Sequence, residues 1–177
     1  MRIFTFITVF LFSTFISSAQ DEFITSKNKF HFGIRHGYSE LNISNSYTSI
    51  GRTSVYAGLF LSKSLSEKFS LQLEANYSQS VLLDIPLLLK YKLTNKFDLF
   101  TGPQLNLSID NGSLRGFEDE KYGSSFLLGA QYNINSHWFI DARYTYGLTD
   151  QFLIDVYDET PHYGSKNSFN FGIGYKF

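Results

Sequence analysis

The sequence predicts an all-β fold: an eight-stranded antiparallel up-and-down transmembrane β-barrel with short periplasmic turns and longer extracellular loops. Three observations carry this expectation. Apolar and polar side chains alternate in eight stretches of about ten residues, the length a tilted strand needs to cross a bilayer, against roughly five or six for a soluble strand. The apolar faces end in aromatics, with Phe30, Phe69, Phe97 and Trp138 at one rim and Tyr38, Tyr77 and Tyr146 at the other, the girdle pattern of barrels in an outer membrane. The opposite faces carry Arg35, Gln72, Glu74, Lys90, Gln131, Asp141 and Arg143. A soluble lipocalin-like barrel would do the reverse and turn its apolar face inward.

Composition narrows the classes further. The 177 residues suffice for one domain. Nineteen Phe and 12 Tyr against three Pro and one Met favour strands over helices. A formal charge of −1 supplies no basic footprint for nucleic acid. The absence of cysteine excludes disulfides, zinc–thiolate sites and thiol nucleophiles.

Taken in order, the chain opens on Arg2, an apolar run from Ile3 to Ile16, and then Ser17 and Ala19 before Gln20. That run is shorter than the ~20 residues of a membrane-spanning helix and has signal-peptide form. Residues 1–19 are therefore expected to be a cleaved signal peptide, 20–29 a short periplasmic lead, and 30–177 the barrel domain. The first strand places Phe30, Phe32, Ile34, His36 and Tyr38 on one face and His31, Gly33, Arg35 and Gly37 on the other. The second sets Val55, Ala57, Leu59 and Leu61 against Tyr56, Gly58, Phe60 and Ser62. The third sets Phe69, Leu71, Leu73, Ala75 and Tyr77 against Gln72, Glu74 and Asn76. The fourth sets Ile85, Leu87, Leu89 and Tyr91 against Asp84, Pro86, Leu88, Lys90 and Lys92. The fifth runs from Phe97 to Ile109, the sixth from Phe126 to Ile134, and the seventh from Trp138 to Leu148. The eighth alternates Phe169, Phe171, Ile173, Tyr175 and Phe177 with Asn170, Gly172, Gly174 and Lys176.

The connections alternate in length. SLSEK, TNK and NSH are tight, whereas about 41–53, 110–124 and 149–167 are long, with a shorter one near 79–82. Short turns at one end and long loops at the other match the periplasmic and extracellular sides. Pro86 donates no ladder hydrogen bond, so a bulge or a shortened fourth strand is expected there. The stretch from Asp84 to Leu105, DIPLLLKYKLTNKFDLFTGPQL, resembles the outer-membrane β-barrel (PorT-like) family common in Bacteroidetes, whose members carry an Ile-Pro-x-x-Leu-Lys-Tyr strand, a short turn and a Gly-Pro strand. The SSAQ region and the closing Tyr175-Lys176-Phe177 are similar in style. The resemblance implies an eight-stranded barrel in the outer membrane of a diderm bacterium, and it implies no chemistry.

By parity, Arg35, Lys90, Lys92, Arg143 and Lys176 face the lumen with Glu74, Asp84, Asp98 and Asp141. Glu74 and Lys90, on adjacent strands, are expected to pair directly. An eight-stranded barrel just holds its own side chains, so Arg35, Glu74, Lys90, Asp141 and Arg143 are expected to form a structural polar plug, with a proton or small-ion path as the functional alternative. Gly172 and Gly174 leave room in that crowded lumen. No catalytic set emerges, because no histidine of His31, His36, His137 and His162 begins a His-x-Ser pair. Asp110–Glu120 lacks the regular spacing of a calcium loop, so no metal or cofactor is expected. The expected role is structural or interactive: envelope integrity, adhesion or surface-ligand binding through the extracellular loops. A lipid-modifying outer-membrane enzyme and a secreted soluble ligand-binding barrel are the alternatives. Expected partners are outer-membrane lipid, the insertion machinery, which would read Tyr175 and Phe177, and an extracellular partner at loop 149–167, where QFLIDVY suggests a strand extending into a hairpin. A monomer is expected.

Overall fold

The computed structural model describes residues 30–45, 48–79, 82–109, 113–114, 117–118, 120–157 and 160–177. The expected signal peptide and periplasmic lead lie outside the described residues. The strands are β1 (Phe30–Ser44), β2 (Ser49–Ser64), β3 (Phe69–Ser78), β4 (Leu82–Lys92), β5 (Phe97–Ser108), β6 (Ser113–Leu114), β7 (Phe117–Glu118), β8 (Tyr122–Asn133), β9 (Trp138–Gly147), β10 (Asp150–Tyr157) and β11 (Thr160–Lys176). Eight of them pair antiparallel in the order β1-β2-β3-β4-β5-β8-β9-β11, and β1 pairs with β11 to close the barrel. Side chains on a strand alternate between faces, so Ile34, Leu59, Leu73, Leu99, Leu128 and Phe171 face outward while Arg35, Phe60, Glu74, Phe100, Leu127 and Asp141 are buried inside.

Three turns at the periplasmic end share one construction. Ser66 Oγ, Thr94 Oγ1 and Asn135 Oδ1 accept hydrogen bonds from the backbone N–H three residues on, at Phe69 (3.0 Å), Phe97 (3.0 Å) and Trp138 (2.8 Å). Leu65, Leu93 and Ile134 donate to the carbonyls of those same aromatics at 2.9, 2.9 and 3.0 Å. Each turn is a short polar side chain bonding to its own backbone, followed at once by a girdle aromatic. Those aromatics meet rings from the neighbouring strand: Phe69 with Tyr91 (5.2 Å between centroids), Phe97 with Tyr132 (5.2 Å), and Trp138 with Tyr175 (5.0 Å). Phe32 stacks on Phe177 at 4.6 Å beside the seam.

The extracellular end differs from the expectation. Most of the expected 41–53 connection is strand, because β1 and β2 stay in register out to Ser44↔Ser49. A Ser/Thr/Asn-rich ribbon hides the apolar alternation once it leaves the bilayer, yet its backbone goes on pairing. Asn45 and Thr48 are joined by hydrogen bonds of 3.0 and 2.9 Å. The expected extension of the seventh strand is present. After Leu148 and Thr149 the chain resumes as β10 and pairs with β11 from Asp150↔Ser165 to Tyr157↔Thr160, with irregularities between Asp150 and Phe152 and between Leu153 and Asp155.

Pro86 produces neither the bulge nor the shortening expected of it. Leu73↔Leu87 on one side and Asn76↔Asp84 on the other keep the same register, as do Pro86↔Gln104 and Leu89↔Thr101 on β5. The fixed φ of proline lies within the extended range. The ladder therefore loses partners beside Pro86 and resumes unchanged, with the ring buried in the lumen.

Leu59 is 63% exposed and sits opposite Ile34, midway between the rims. Leu59→Arg should destabilise the barrel by about 2–4 kcal/mol, the cost of a cation on the lipid face near the midplane. Urea unfolding in lipid vesicles measures it, and a change within about 0.5 kcal/mol, typical of an aqueous surface, would mean that this face does not meet lipid.

Candidate functional site

The lumen is built in layers. Its centre is a closed ring of four charges contributed by three strands: Arg35 from β1, Glu74 from β3, and Asp141 and Arg143 from β9. Arg35 donates to Glu74 Oε2 at 2.7 Å and to Asp141 Oδ1 at 2.8 Å. Arg143 donates to Glu74 Oε2 at 2.9 Å and, through Nε, to Asp141 Oδ1 at 3.1 Å. Each carboxylate thus bridges both guanidiniums. The Tyr56 hydroxyl accepts from Arg35 at 2.7 Å, and Glu74 accepts further from Gln72 (2.6 Å) and Asn76 (2.8 Å). The four charged side chains are at most 4% exposed. Two cations and two anions leave the ring neutral, the condition under which buried charges persist.

Neighbouring strands make room for these groups. A Cβ at Gly172 would meet the Tyr56 hydroxyl and the Arg35 guanidinium, and one at Gly174 would meet the Phe139 ring. The ring of charges can occupy the axis because β11 presents no side chain there.

Lys90 does not pair with Glu74. Its register partner on β3 is Ser70, four residues, or ~13 Å of strand, on the periplasmic side of Glu74. Its Nζ donates instead to Gln131 Oε1 at 2.6 Å and Gln72 Oε1 at 3.2 Å, between the Phe100 and Phe139 rings. Lys92 lies exposed at the mouth rather than inside the network. Asp84 is held by Lys166 at 2.7 Å, a residue missed because it falls in the expected loop 149–167. Lys176 donates to Asn133 Oδ1 at 2.8 Å.

The sequence reading also missed two apolar layers inside the lumen. Leu88, Phe100 and Leu127 form one, with Phe60 packed edge-on to Phe139 at 5.7 Å nearby. Strict parity would have found these residues, since all lie on the inward faces. Leu41, Leu82 and Phe152, with Ile43 against them, form a second layer at the extracellular end. Phe152 arrives on β10, so that layer exists only because β9 resumes beyond the bilayer.

Of the histidines, His36 faces outward and His31 is half-buried near the periplasmic end. His137 Nδ1 lies 2.9 Å from Ser136 Oγ in an exposed periplasmic turn, with its ring stacked on Tyr175 at 5.6 Å. Among the described residues no three His, Cys, Asp or Glu side chains converge as a metal site. Much of the acidic 110–120 stretch lies outside the described residues.

The family model described as "Outer membrane protein beta-barrel domain" matches residues 7–177. A comparison with curated proteins found no match. Among solved structures, the chain is similar to Ail, the attachment invasion locus protein of Yersinia pestis, in complex with the heparin analogue sucrose octasulfate. The identity is 12% and the TM-score 0.54, over 84% of this chain and 99% of that one. It is also similar to Neisserial surface protein A (NspA), with 16% identity and a TM-score of 0.52, over 82% of this chain and 97% of that one. At such identities the likeness is one of fold.

Glu74→Gln removes one anion from the ring and leaves two guanidiniums facing one carboxylate, which should cost about 3–5 kcal/mol. Combining Glu74→Gln with Arg143→Met leaves the neutral Arg35–Asp141 pair, so the double variant should be more stable than Glu74→Gln alone. Urea unfolding in vesicles compares them, and a double variant no better than the single would show that ring neutrality is not what matters.

Proposed function

The chain belongs to the outer membrane protein beta-barrel domain family, and from that premise we propose that it acts in the outer membrane as a structural and interaction protein whose plugged barrel is a support rather than a pore. The observation that carries this reading is the Arg35–Glu74–Asp141–Arg143 ring across the lumen axis. Moving an ion past it requires parting charges already held at hydrogen-bond distance, away from bulk water. The apolar Leu41–Leu82–Phe152 layer adds a second barrier on the extracellular side.

Interaction falls to the extracellular ribbons, with the β10–β11 hairpin as the expected contact for envelope integrity, adhesion or a surface ligand. A strand projecting beyond the membrane offers backbone groups for pairing with a partner. Its outward aromatic and aliphatic belt suits a monomer surrounded by lipid. The Ile85–Tyr91 and Gly102-Pro103 motifs support placement within the PorT-like branch. Residues 1–19 serve in this reading as the export signal, and Tyr175 and Phe177 as the segment read by the insertion machinery.

In planar bilayers the purified barrel should give no large, stable openings; steady openings would refute the plug. Deleting Phe177 should lower the yield of inserted barrel in outer-membrane fractions, while normal insertion would remove Phe177 from the signal.

A further inference from the structure

The two ends of the lumen are not alike. Between the charged ring and the extracellular apolar layer there is space of only about 20 Å³. On the periplasmic side lies a cavity of about 390 Å³, a size suited to small molecules. Lys68, Lys90, Lys92 and Lys176 line it against Glu67 and Asp98, so the balance is positive.

Its lining carries two ammonium groups with no carboxylate at hydrogen-bond distance. Lys90 is 5% exposed, and its Nζ meets only the amide oxygens of Gln131 and Gln72. Lys176 Nζ meets only Asn133 Oδ1. Both ammoniums approach the Phe139 ring, at 5.8 and 5.3 Å. Asp98 accepts from Asn133 at 2.9 Å and Gln131 at 3.3 Å, and makes no ion pair with either lysine. An ammonium has three donors, so Lys90 retains one and Lys176 two. Elsewhere in the lumen every buried cation described, Arg35, Arg143 and Lys166, is matched by a carboxylate. A buried cation left with neutral hydrogen-bond partners is unfavourable; Lys90 is such a cation, and the half-buried Lys176 lies beside it, both facing an open polar chamber.

We infer that this chamber is a binding site for a small periplasmic molecule bearing an oxyanion, a carboxylate or phosphate, which Lys90 and Lys176 grip by charge-assisted hydrogen bonds. The ring and the extracellular apolar layer bar entry from outside, so the ligand arrives from the periplasm. This goes beyond the plug reading: the plug forms the floor of the site, and the extracellular ribbons take no part.

The test is calorimetric titration of the folded barrel at low ionic strength, with inorganic phosphate and, separately, succinate. Saturable binding of at least one probe is expected, weakened at least ~10-fold, or about 1.4 kcal/mol, in the Lys90→Gln/Lys176→Gln double variant and unchanged in Lys121→Gln on the extracellular side. Phosphate binding alone would assign a phosphorylated ligand, and succinate binding alone a carboxylate one. No saturable binding by either probe, or equal binding by the double variant, would overturn the site. A second measurement avoids dependence on the folding of that variant. The chain contains no cysteine, so Ser64→Cys places a single thiol on the cavity wall. Its maleimide labelling should slow when the bound probe is saturating, and an unchanged rate would place any binding elsewhere and overturn the proposal.

Discussion

A β-sheet in hydrocarbon has no water to satisfy its edges, so β1 has to hydrogen-bond to β11, and the rest of the molecule depends on that closure. The seam runs from Gly33↔Lys176 to Ser44↔Ser165 without a slip. Each unpaired backbone group would cost several kcal/mol in the bilayer. Twelve consecutive register pairs along this seam hold together the two strands most distant in sequence. Closure also fixes which face is inside, because each strand has only two faces and the outer one must meet lipid.

Once closed, the barrel encloses a volume just sufficient for its inward side chains. Those side chains are polar or charged at many positions, so they must satisfy one another. The charged ring does most of this at the centre, where Glu74 Oε2 alone accepts from Arg35, Arg143 and Asn76, although Arg35 Nε and Asn76 Oδ1 find no partner there. Gly172 and Gly174 of β11 and the aromatic rings on nearby strands are two halves of one packing arrangement. At Gly174 the Phe139 ring of the adjacent β9 takes the space, and at Gly172 the Tyr56 hydroxyl and the Arg35 guanidinium do.

The layers give the barrel a direction. From outside to inside come the apolar Leu41–Leu82–Phe152 layer, the Asp84–Lys166 pair, the charged ring, the Leu88–Phe100–Leu127 layer with Lys90, and the polar periplasmic chamber. Among the described residues, packing leaves about 20 Å³ on the extracellular side of the ring and about 390 Å³ on the periplasmic side. The tight turns line that mouth through Ser66, Asn95 and Asn135, whereas β10 brings Phe152 into the apolar layer at the other end.

Everything that depends on period two is legible in the sequence. Strand number, the lipid face, the tight turns, the girdle and the inward orientation of Arg35, Glu74, Lys90, Asp141 and Arg143 all follow from which residues alternate, and alternation is local. It did not reveal the β1–β2 ribbon beyond the bilayer, because Ser, Thr and Asn carry no apolar signal on either face although their backbone pairs as well as any. Nor did it reveal who partners whom. Strand adjacency alone pairs Lys90 with Glu74, yet register places Lys90 opposite Ser70 and gives Glu74 to two arginines. Arg35 and Asp141, 106 residues apart, meet because the sheet curls until its first and seventh barrel strands face one lumen. Parity is written in neighbouring residues. Depth and partnership across the lumen depend on the stagger at which the sheet closes, a property of the whole barrel that no local stretch of chain carries.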